Sequence, residues 1–418
     1  MIQLIRGFRD ILPEEVEVWQ NIERTAVTLF ENFGFKEIRL PVLEKAELFS
    51  RSIGQDTDIV EKEMYTFPDS KGNPVTMRPE ATASVVRAYI QHKLYAKDPV
   101  HKLYTIGPMF RRERPQKGRY RQFYQINAEV FGVDSPLIDA QLIMILMTLF
   151  SRLNVTDVKP HINSLGCEAC RPRFKEALSE LLYSSADSLC SNCVKRSRTN
   201  PLRVLDCKVP ACRKAMLDAP SILDFLCTEC KQHFDTVKDS LESLNVEYEI
   251  DKFLVRGLDY YTRTTFEIQT GSLGAQNAVA GGGRYDSLVK TLGGPEKSAT
   301  GFAIGFDRLV ELVTLNNSRV QSKPEIFIAA IGDKSKSTAF HWANALAIDG
   351  IKVEIDLGDR SLKSQMKRAN RLEAKHVLIV GEKELEDGDI IMRNMTTKEQ
   401  ILIPVNGIVE IIKAKLRC

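Results

Sequence analysis

Six basic residues and a single acid crowd one loop-like stretch, Gly107-Pro-Met-Phe-Arg-Arg-Glu-Arg-Pro-Gln-Lys-Gly-Arg-Tyr-Arg-Gln-Phe-Tyr-Gln125, between two runs that read as strands. Clustered guanidinium forks suit polyphosphate, because each can meet two phosphate oxygens at once. A basic hairpin loop is most often just a solvated surface. That reading leaves Glu113 inside the run and Phe123 after it without a role. A carboxylate can accept from an exocyclic amine, and an aromatic ring can stack on a base. The chemistry that fits is nucleotide binding.

Four further clusters carry chemistry. Leu254-Val-Arg-Gly-Leu-Asp-Tyr-Tyr-Thr-Arg-Thr264 sets Arg256 and Asp259 beside Tyr260 and Tyr261. Read as a strand, it lets only one of the two tyrosines face a given pocket. Ala280-Gly-Gly-Gly-Arg-Tyr-Asp286 has three consecutive glycines, which let backbone approach a ligand closely, although the spacing is not that of a dinucleotide fingerprint. Gly301 to Leu309 runs from small residues into a helix bearing Arg308, and Met77-Arg-Pro-Glu-Ala-Thr82 ends a strand on a carboxylate and a hydroxyl. Each of the four is weak alone.

Eight of the nine cysteines pair off as Cys167/Cys170, Cys190/Cys193, Cys207/Cys212 and Cys227/Cys230. Met1 to Asp10 holds Arg6 and no apolar run of the export type, so the expected compartment is the reducing cytoplasm, where disulfides are disfavoured. Metal ligation or inert buried thiols remain. Three pairs are C-x-x-C and one is C-x4-C, spacings that can complete up to two all-thiolate zinc sites. Such ions would stabilise the segment holding them and take no part in a reaction.

These clusters need elements to position them. The chain has 418 residues, 43% apolar and 27% charged, with a formal net charge of +3. That length allows two or three domains, and the small charge says nothing about partners by itself. Leu142–Phe150, the most apolar run, is too short for a bilayer span. Apolar spacing predicts a helix over Glu14–Asn32 and another over Pro136–Leu149. Strands are predicted at Phe35–Val42, Val75–Arg78, Lys102–Ile106, Phe123–Phe131, Phe253–Arg256 and Thr265–Gln269, with a helix near Gly305–Thr314. A cysteine-rich, helix-prone insertion, about 167–240, interrupts the strands. After a polar linker at Asn316–Lys323, strand and helix alternate at Ile326–Ile331, Ser335–Ile348, Lys352–Ile355, Leu362–Leu372 and Val377–Val380, which implies a separate α/β domain.

Together the clusters resemble one family. Phe110 to Glu113 and Gly301 to Arg308 look like motifs 2 and 3 of class II aminoacyl-tRNA synthetases, and Phe35 to Pro41 looks like motif 1, the dimer-interface element. Leu254 to Thr264 and Gly281 to Asp286 resemble the two signatures of histidyl-tRNA synthetases, and Gly7 to Pro13 resembles that family's N-terminal signature. The resemblance covers nearly the whole chain. It implies an α+β catalytic domain over 1–322, built on an antiparallel class II sheet and carrying the helical insertion, followed by an α/β anticodon-binding domain over 323–418.

The implied activity is ATP-dependent ligation of L-histidine to tRNA(His) through histidyl-adenylate, with ATP and Mg2+ required, in a cytoplasmic homodimer with no membrane contact. Arg111 and Arg256 are the implied catalytic cations, Arg256 standing where other class II enzymes place a metal ion. Glu80, Ala81, Thr82, Gln125, Glu129, Tyr260, Tyr261 and Tyr285 line the implied histidine pocket, with Arg111 and Arg256 at its edge. Glu129 and Tyr261 meet the imidazole nitrogens; Glu80, Thr82 and Gln125 meet the amino group. Glu113, Arg119, Phe123, Arg308 and Arg111 bind ATP, and Gln116 meets the tRNA acceptor end. Two basic stretches, Lys195–Lys214 and Arg360–Lys375, fit RNA phosphates. The alternative reading is a regulatory paralogue that binds histidine without acylating RNA; the full motif set argues against it.

Overall fold

The computed structural model describes residues 2–55, 57–115, 118–273, 277–316 and 323–417. The chain divides into two compact units, Met1–Arg319 and Val320–Cys418. Residues 317–322, most of the predicted linker, lie outside the described residues.

The first unit is organised by an eight-stranded sheet: β1 Lys36–Glu37, β2 His101–Phe110, β3 Gln122–Phe131, β4 Lys159–Ser164, β5 Glu249–Ile250, β6 Thr262–Gln269, β7 Ala278–Arg284 and β8 Ala299–Gly305. Their order is β1-β2-β3-β8-β7-β6-β4-β5. The five inner pairings are antiparallel, and only the outermost, β1 with β2 and β4 with β5, are parallel.

Alternation along the strands gives the sheet two different faces. Ile126, Ala128 and Val130 of β3, Phe266 and Ile268 of β6, and Phe302 and Ile304 of β8 enter the main core. There they meet the helices Pro13–Asn32, Leu137–Arg152 and Phe306–Asn316. The helix Leu137–Arg152 is apolar almost all round because it is buried on nearly every side. The intervening residues of the same strands turn to the opposite face, which carries the site. A three-stranded sheet, Leu43–Lys45, Pro74–Met77 and Tyr65–Pro68, lies beside it and leads into the helix Thr82–Gln91.

The insertion is helical: Arg171–Ser184, Ser191–Thr199, Pro210–Ala215 and Thr228–Ser243. The first three gather a core of their own around Phe174, Leu178, Cys193, Cys212 and Met216. The last sends Phe234, Val237 and Leu241 into the main core.

Two predicted strands are corrected. Of Phe35–Val42 only Lys36–Glu37 pairs, and Phe253–Arg256 is irregular backbone, with β6 starting at Thr262. The second difference decides how the neighbouring tyrosines point.

The second unit has a five-stranded sheet in the order Val353–Ile355, Ile326–Ala330, His376–Val380, Asp389–Asn394, Gln400–Pro404. The first two pairings are parallel and the last two antiparallel. Ile326, Ile328 and Ala330 pack toward Trp342, Leu346 and Ile412, while Phe327 and Ala329 face Ala369 and Ala374. The antiparallel edge pair went unread in the sequence.

Candidate active site

On the site face of β3 stand Phe123, Gln125, Asn127 and Glu129, every second residue of the strand. Opposite them, β8 contributes Gly305, Ala303 and Gly301 in register with Gln125, Asn127 and Glu129. The small residues make room for the side chains of the site. A Cβ at Gly301 would stand 2.8 Å from the Glu129 carboxyl carbon and 2.6 Å from the Ala128 carbonyl oxygen. One strand over, a Cβ at Gly281 would stand 2.6 Å from Cζ of Arg256, and one at Gly283 would stand 3.1 Å from the Tyr261 ring. Gly282, which faces the other way, is closed by Phe266. The glycine run thus accommodates other side chains of the site.

Glu129 is fully buried and shared. The Tyr285 hydroxyl donates to its Oε2, and the Thr82 hydroxyl donates to Oε1 at 2.7 Å. Burial pushes its carboxyl up to about 8, reinforced by Glu80 and opposed by the bonds from Tyr285 and Thr82. Glu80 accepts the backbone N–H groups of Thr82 and Ala83 at 2.7 and 2.9 Å, so it caps the helix Thr82–Gln91 from the buried end. Burial also raises its pKa, against those two bonds. Ala81, between them, is buried.

Because 254–261 is not a strand, alternation does not separate Tyr260 from Tyr261. Their rings lie 4.7 Å apart, and Tyr260 packs edge-on to Tyr285 at 5.6 Å. All three phenols are buried, which holds them in the neutral, donating form. Arg256 lies over Tyr261 with Cζ 5.7 Å from the ring centre and pairs with Glu267 of β6. Burial works against its charge, but Glu267 and the tyrosines raise its pKa. Gln125 Oε1, both Asn127 side-chain atoms and Arg256 Nε are buried without a hydrogen-bond partner. Unsatisfied buried polar atoms on one face mark a place where a polar ligand completes the bonding.

The arginines stand at the other end of this face. Arg111 donates Nε–H to the Pro79 carbonyl at 2.9 Å, and its Cζ lies 5.2 Å from the Phe123 ring centre. Glu113 pairs with Arg119 at 2.9 Å and reaches Arg111 at 3.9 Å. Arg308 donates to the Ala278 carbonyl at 2.5 Å. Its pKa is lowered by burial and by the nearby Arg119 and Arg111, against Glu113. Partly buried like charges that repel one another call for an anion. Glu63, at the end of the short π-helical turn Ile59–Glu63, stands near this cluster, and burial, with the charge of Glu113, raises its pKa.

The N-terminal stretch braces the arginine end. Arg121 N–H donates to the Gly7 carbonyl at 2.7 Å, and Arg9 pairs with Asp307 at 3.1 Å. Asp307 in turn accepts the Tyr124 N–H at 2.8 Å. Gly7–Pro13 thereby joins the loop after β2 to the helix after β8.

Among the sequence-derived candidates, Glu80, Ala81, Thr82, Arg111, Glu113, Arg119, Phe123, Gln125, Glu129, Arg256, Tyr260, Tyr261, Tyr285 and Arg308 are described, and Gln116 lies outside the described residues. Asn127, Glu267 and Glu63 were missed. Counting by twos from Gln125 would have found Asn127; Glu267 needed the register of β6 against β7. Both basic stretches are partly diverted. Arg196 and Lys195 pair with Asp58 and Glu61 at 2.6 and 2.9 Å. Arg368 pairs with Glu354 at 2.9 Å, leaving Lys363, Lys367 and Arg371 exposed along one helix.

The chain matches the family model described as "Histidyl-tRNA synthetase" over residues 7–309 and that described as "Anticodon binding domain" over 325–415. A protein of Desulfatibacillum aliphaticivorans named histidine–tRNA ligase is 60% identical over 414 residues, covering 99% of both chains. The crystal structure of apo histidyl-tRNA synthetase from S. aureus superposes with a TM-score of 0.83 at 37% identity, over 98% of this chain and 99% of that one. A Bacillus halodurans structure described as an ATP phosphoribosyltransferase regulatory subunit/histidyl-tRNA synthetase has a TM-score of 0.66 at 22% identity, over 91% of this chain and 98% of that one, and speaks to fold alone.

Proposed function

The chain belongs to the histidyl-tRNA synthetase family, and we propose from that premise how its residues divide the work. It joins histidine to tRNA(His), consuming ATP and releasing AMP and pyrophosphate through a histidyl-adenylate intermediate. The observation that carries the reading is one sheet face holding a buried carboxyl, Glu129, at one end and a cluster of arginines at the other.

Histidine lies with its imidazole toward Glu129, Tyr261 and Tyr285. With its pKa near 8, Glu129 holds a proton at neutral pH. A neutral imidazole and a protonated carboxyl share one proton between them, so the ring binds without net charge change. Glu80, Thr82 and Gln125 face the amino group. A pocket that satisfies both ring nitrogens rejects apolar analogues, because its buried partners would be stranded.

ATP takes the other end. Phe123 stacks on adenine and Glu113 accepts from its amine. Arg111 must swing from over Phe123 to reach the α-phosphate. Arg119 and Arg308 hold the outer phosphates. A histidine carboxylate oxygen attacks the α-phosphorus, and the bond to pyrophosphate breaks. Charge grows on the α-phosphate oxygens, where Arg256, held by Glu267, is the fixed cation and Arg111 joins it after its swing. Mg2+, entering with ATP, would help neutralise the triphosphate. The tRNA terminal hydroxyl then attacks the activated carbonyl, and AMP leaves; Gln116 meets the acceptor end.

The second unit, matching the anticodon-binding family, supports tRNA binding. We assign Lys363, Lys367 and Arg371 to phosphate contact. The proposed domains are 1–322, with the insertion at about 167–240, and 323–418. Pairing of two copies through Phe35–Pro41 completes the proposed homodimer, which works in the cytoplasm where tRNA is charged. No helix among the described residues is long and apolar enough to cross a membrane.

The regulatory alternative is not favoured, since full-length relatives carry the ligase name. ATP–pyrophosphate exchange against a panel of amino acids tests the reading. Stimulation by histidine alone supports it; no exchange with histidine, or stimulation by another amino acid, overturns it.

A further inference from the structure

The eight insertion cysteines do not meet in chain order. Cys167 and Cys170 join Cys227 and Cys230, and within that span Cys190 and Cys193 join Cys207 and Cys212. In each quartet the four sulfurs lie within 4.8 Å of one another. Cys167 Sγ is 3.6 Å from Cys170 Sγ and 3.9 Å from Cys227 Sγ, and Cys190 Sγ is 4.0 Å from Cys207 Sγ. Four thiolates around one zinc, with bonds of about 2.3 Å, place their sulfurs roughly 3.8 Å apart. A disulfide needs about 2.05 Å and would use sulfurs two at a time.

The surroundings fit metal-bound thiolate. Cys170, Cys190 and Cys227 each stand at the start of a helix, where the helix dipole favours negative charge. The Cys227 N–H donates to Cys170 Sγ at 3.2 Å and the Cys190 N–H to Cys212 Sγ at 3.1 Å. Arg171 and Arg263 lie beside the outer quartet, and their charges complement a doubly negative zinc tetrathiolate. Packing alone accounts for buried Cys193 and Cys212, but not for half-buried Cys167, Cys190 and Cys227 converging with buried partners.

We propose that each quartet holds one zinc ion, which displaces the thiol protons, and that the outer ion fixes the segment carrying Arg256. The outer site closes the base of the insertion. Gly166, next to Cys167, is so tight that a Cβ there would stand 2.6 Å from Cys170 Cβ. Its carbonyl accepts the Arg263 N–H at 2.9 Å, and the Leu165 N–H donates to the Arg263 carbonyl at 2.7 Å. Arg171 follows Cys170 directly, donating to the Leu165 carbonyl at 3.2 Å and to the Tyr261 carbonyl. From the inner module, Asn200 donates to Asp259 at 2.9 Å and Arg203 to the Arg256 carbonyl at 3.4 Å. The tie to Arg256 rests on the adenylation role given above; the metal sites do not. Arg171 is a positioning residue.

Elemental analysis of the full-length chain purified without chelator tests this. Two zinc ions per chain are expected, falling to one in Cys167→Ser/Cys170→Ser and to one in Cys190→Ser/Cys193→Ser. A quartet whose substitution leaves the zinc content unchanged is not a site. Should either variant fail to fold, cobalt exchange into the unsubstituted chain decides: thiolate charge-transfer bands matching two tetrahedral ions support the proposal, and their absence overturns it. Free reaction of all eight thiols in native, zinc-free protein also overturns it. If such protein still performs histidine-stimulated exchange, the ligase reading stands without the metal. Arg171→Met should keep both ions yet lower kcat for exchange roughly tenfold or more, with less change in the KM for histidine. An unchanged kcat removes the link to Arg256.

Discussion

Gly281 and Arg256 fit as a socket and its occupant: the guanidinium fills the space where any other residue at 281 would carry its Cβ. Two residues 25 positions apart, one in each sequence signature, are therefore one structural feature. Gly281→Ala should reproduce the kinetic defect of Arg256→Ala. Both should slow adenylate formation far more than they weaken ATP binding, by about 3 kcal/mol of barrier or roughly a hundredfold. Rapid-quench measurement of adenylate checks this. A normal rate in Gly281→Ala would show that Arg256 tolerates displacement, and a normal rate in Arg256→Ala would remove it from the chemistry.

The raised carboxyl of Glu129 has a stability consequence. Unfolded, it titrates near 4.5; folded and unliganded, at about 8. Between those values the folded chain keeps a proton that the unfolded chain has lost. Stability therefore falls as pH rises from about 4.5 through about 8, and levels off above. Glu129→Gln removes this dependence. It should melt higher than the parent chain at pH 8.5, relative to their difference at pH 5, while the KM for histidine rises. Parallel melting curves for the two proteins across that range would contradict the assignment.

Arg284 and Asp139 are both fully buried, 3.6 Å apart, and His233 meets Asp139 at 2.8 Å. His233 belongs to the last helix of the insertion, so this cluster ties that helix to the catalytic sheet. Asp139→Ala removes one of the two carboxylates beside buried Arg284, leaving Asp286 at 3.6 Å as its remaining counter-charge, and should cost about 3 kcal/mol. Urea denaturation measures it; a loss under 1 kcal/mol would mean that Asp286 and the Val133 and Asp134 carbonyls compensate Arg284 on their own.

Lys367 stands in the exposed row left when Arg368 turns inward. Lys367→Glu should weaken tRNA binding and lower the slope of log affinity against log salt by about 1. Histidine-dependent pyrophosphate exchange, which needs no tRNA, should be unaltered. A salt slope equal to that of the parent chain would take Lys367 out of the interface.

What the sequence determined by itself is what periodicity and residue chemistry encode locally. The helix Pro13–Asn32 was legible because its amphipathic period runs along most of its length, and β3 was legible over nearly its full extent, whereas only Lys102–Ile106 of β2 could be read. Arg111, Glu113 and Arg308 stood out because charges clustered beside a strand have few structural uses. The tertiary structure decided what depends on register between distant strands. Glu267 became a partner of Arg256 only when β6 and β7 aligned. Asn127 became part of the site only with the face of β3 assigned. The cysteine pairs looked alike along the chain, and nothing in their spacing said that the first would join the fourth. Tyr260 and Tyr261 share a pocket because their backbone leaves the strand, a local departure that no alternation rule foresees. Lys195, Arg196 and Arg368 read as RNA ligands until the fold brought Glu61, Asp58 and Glu354 to them. A charge in a sequence has no address, and its partner is fixed only by the packing of elements that are remote along the chain.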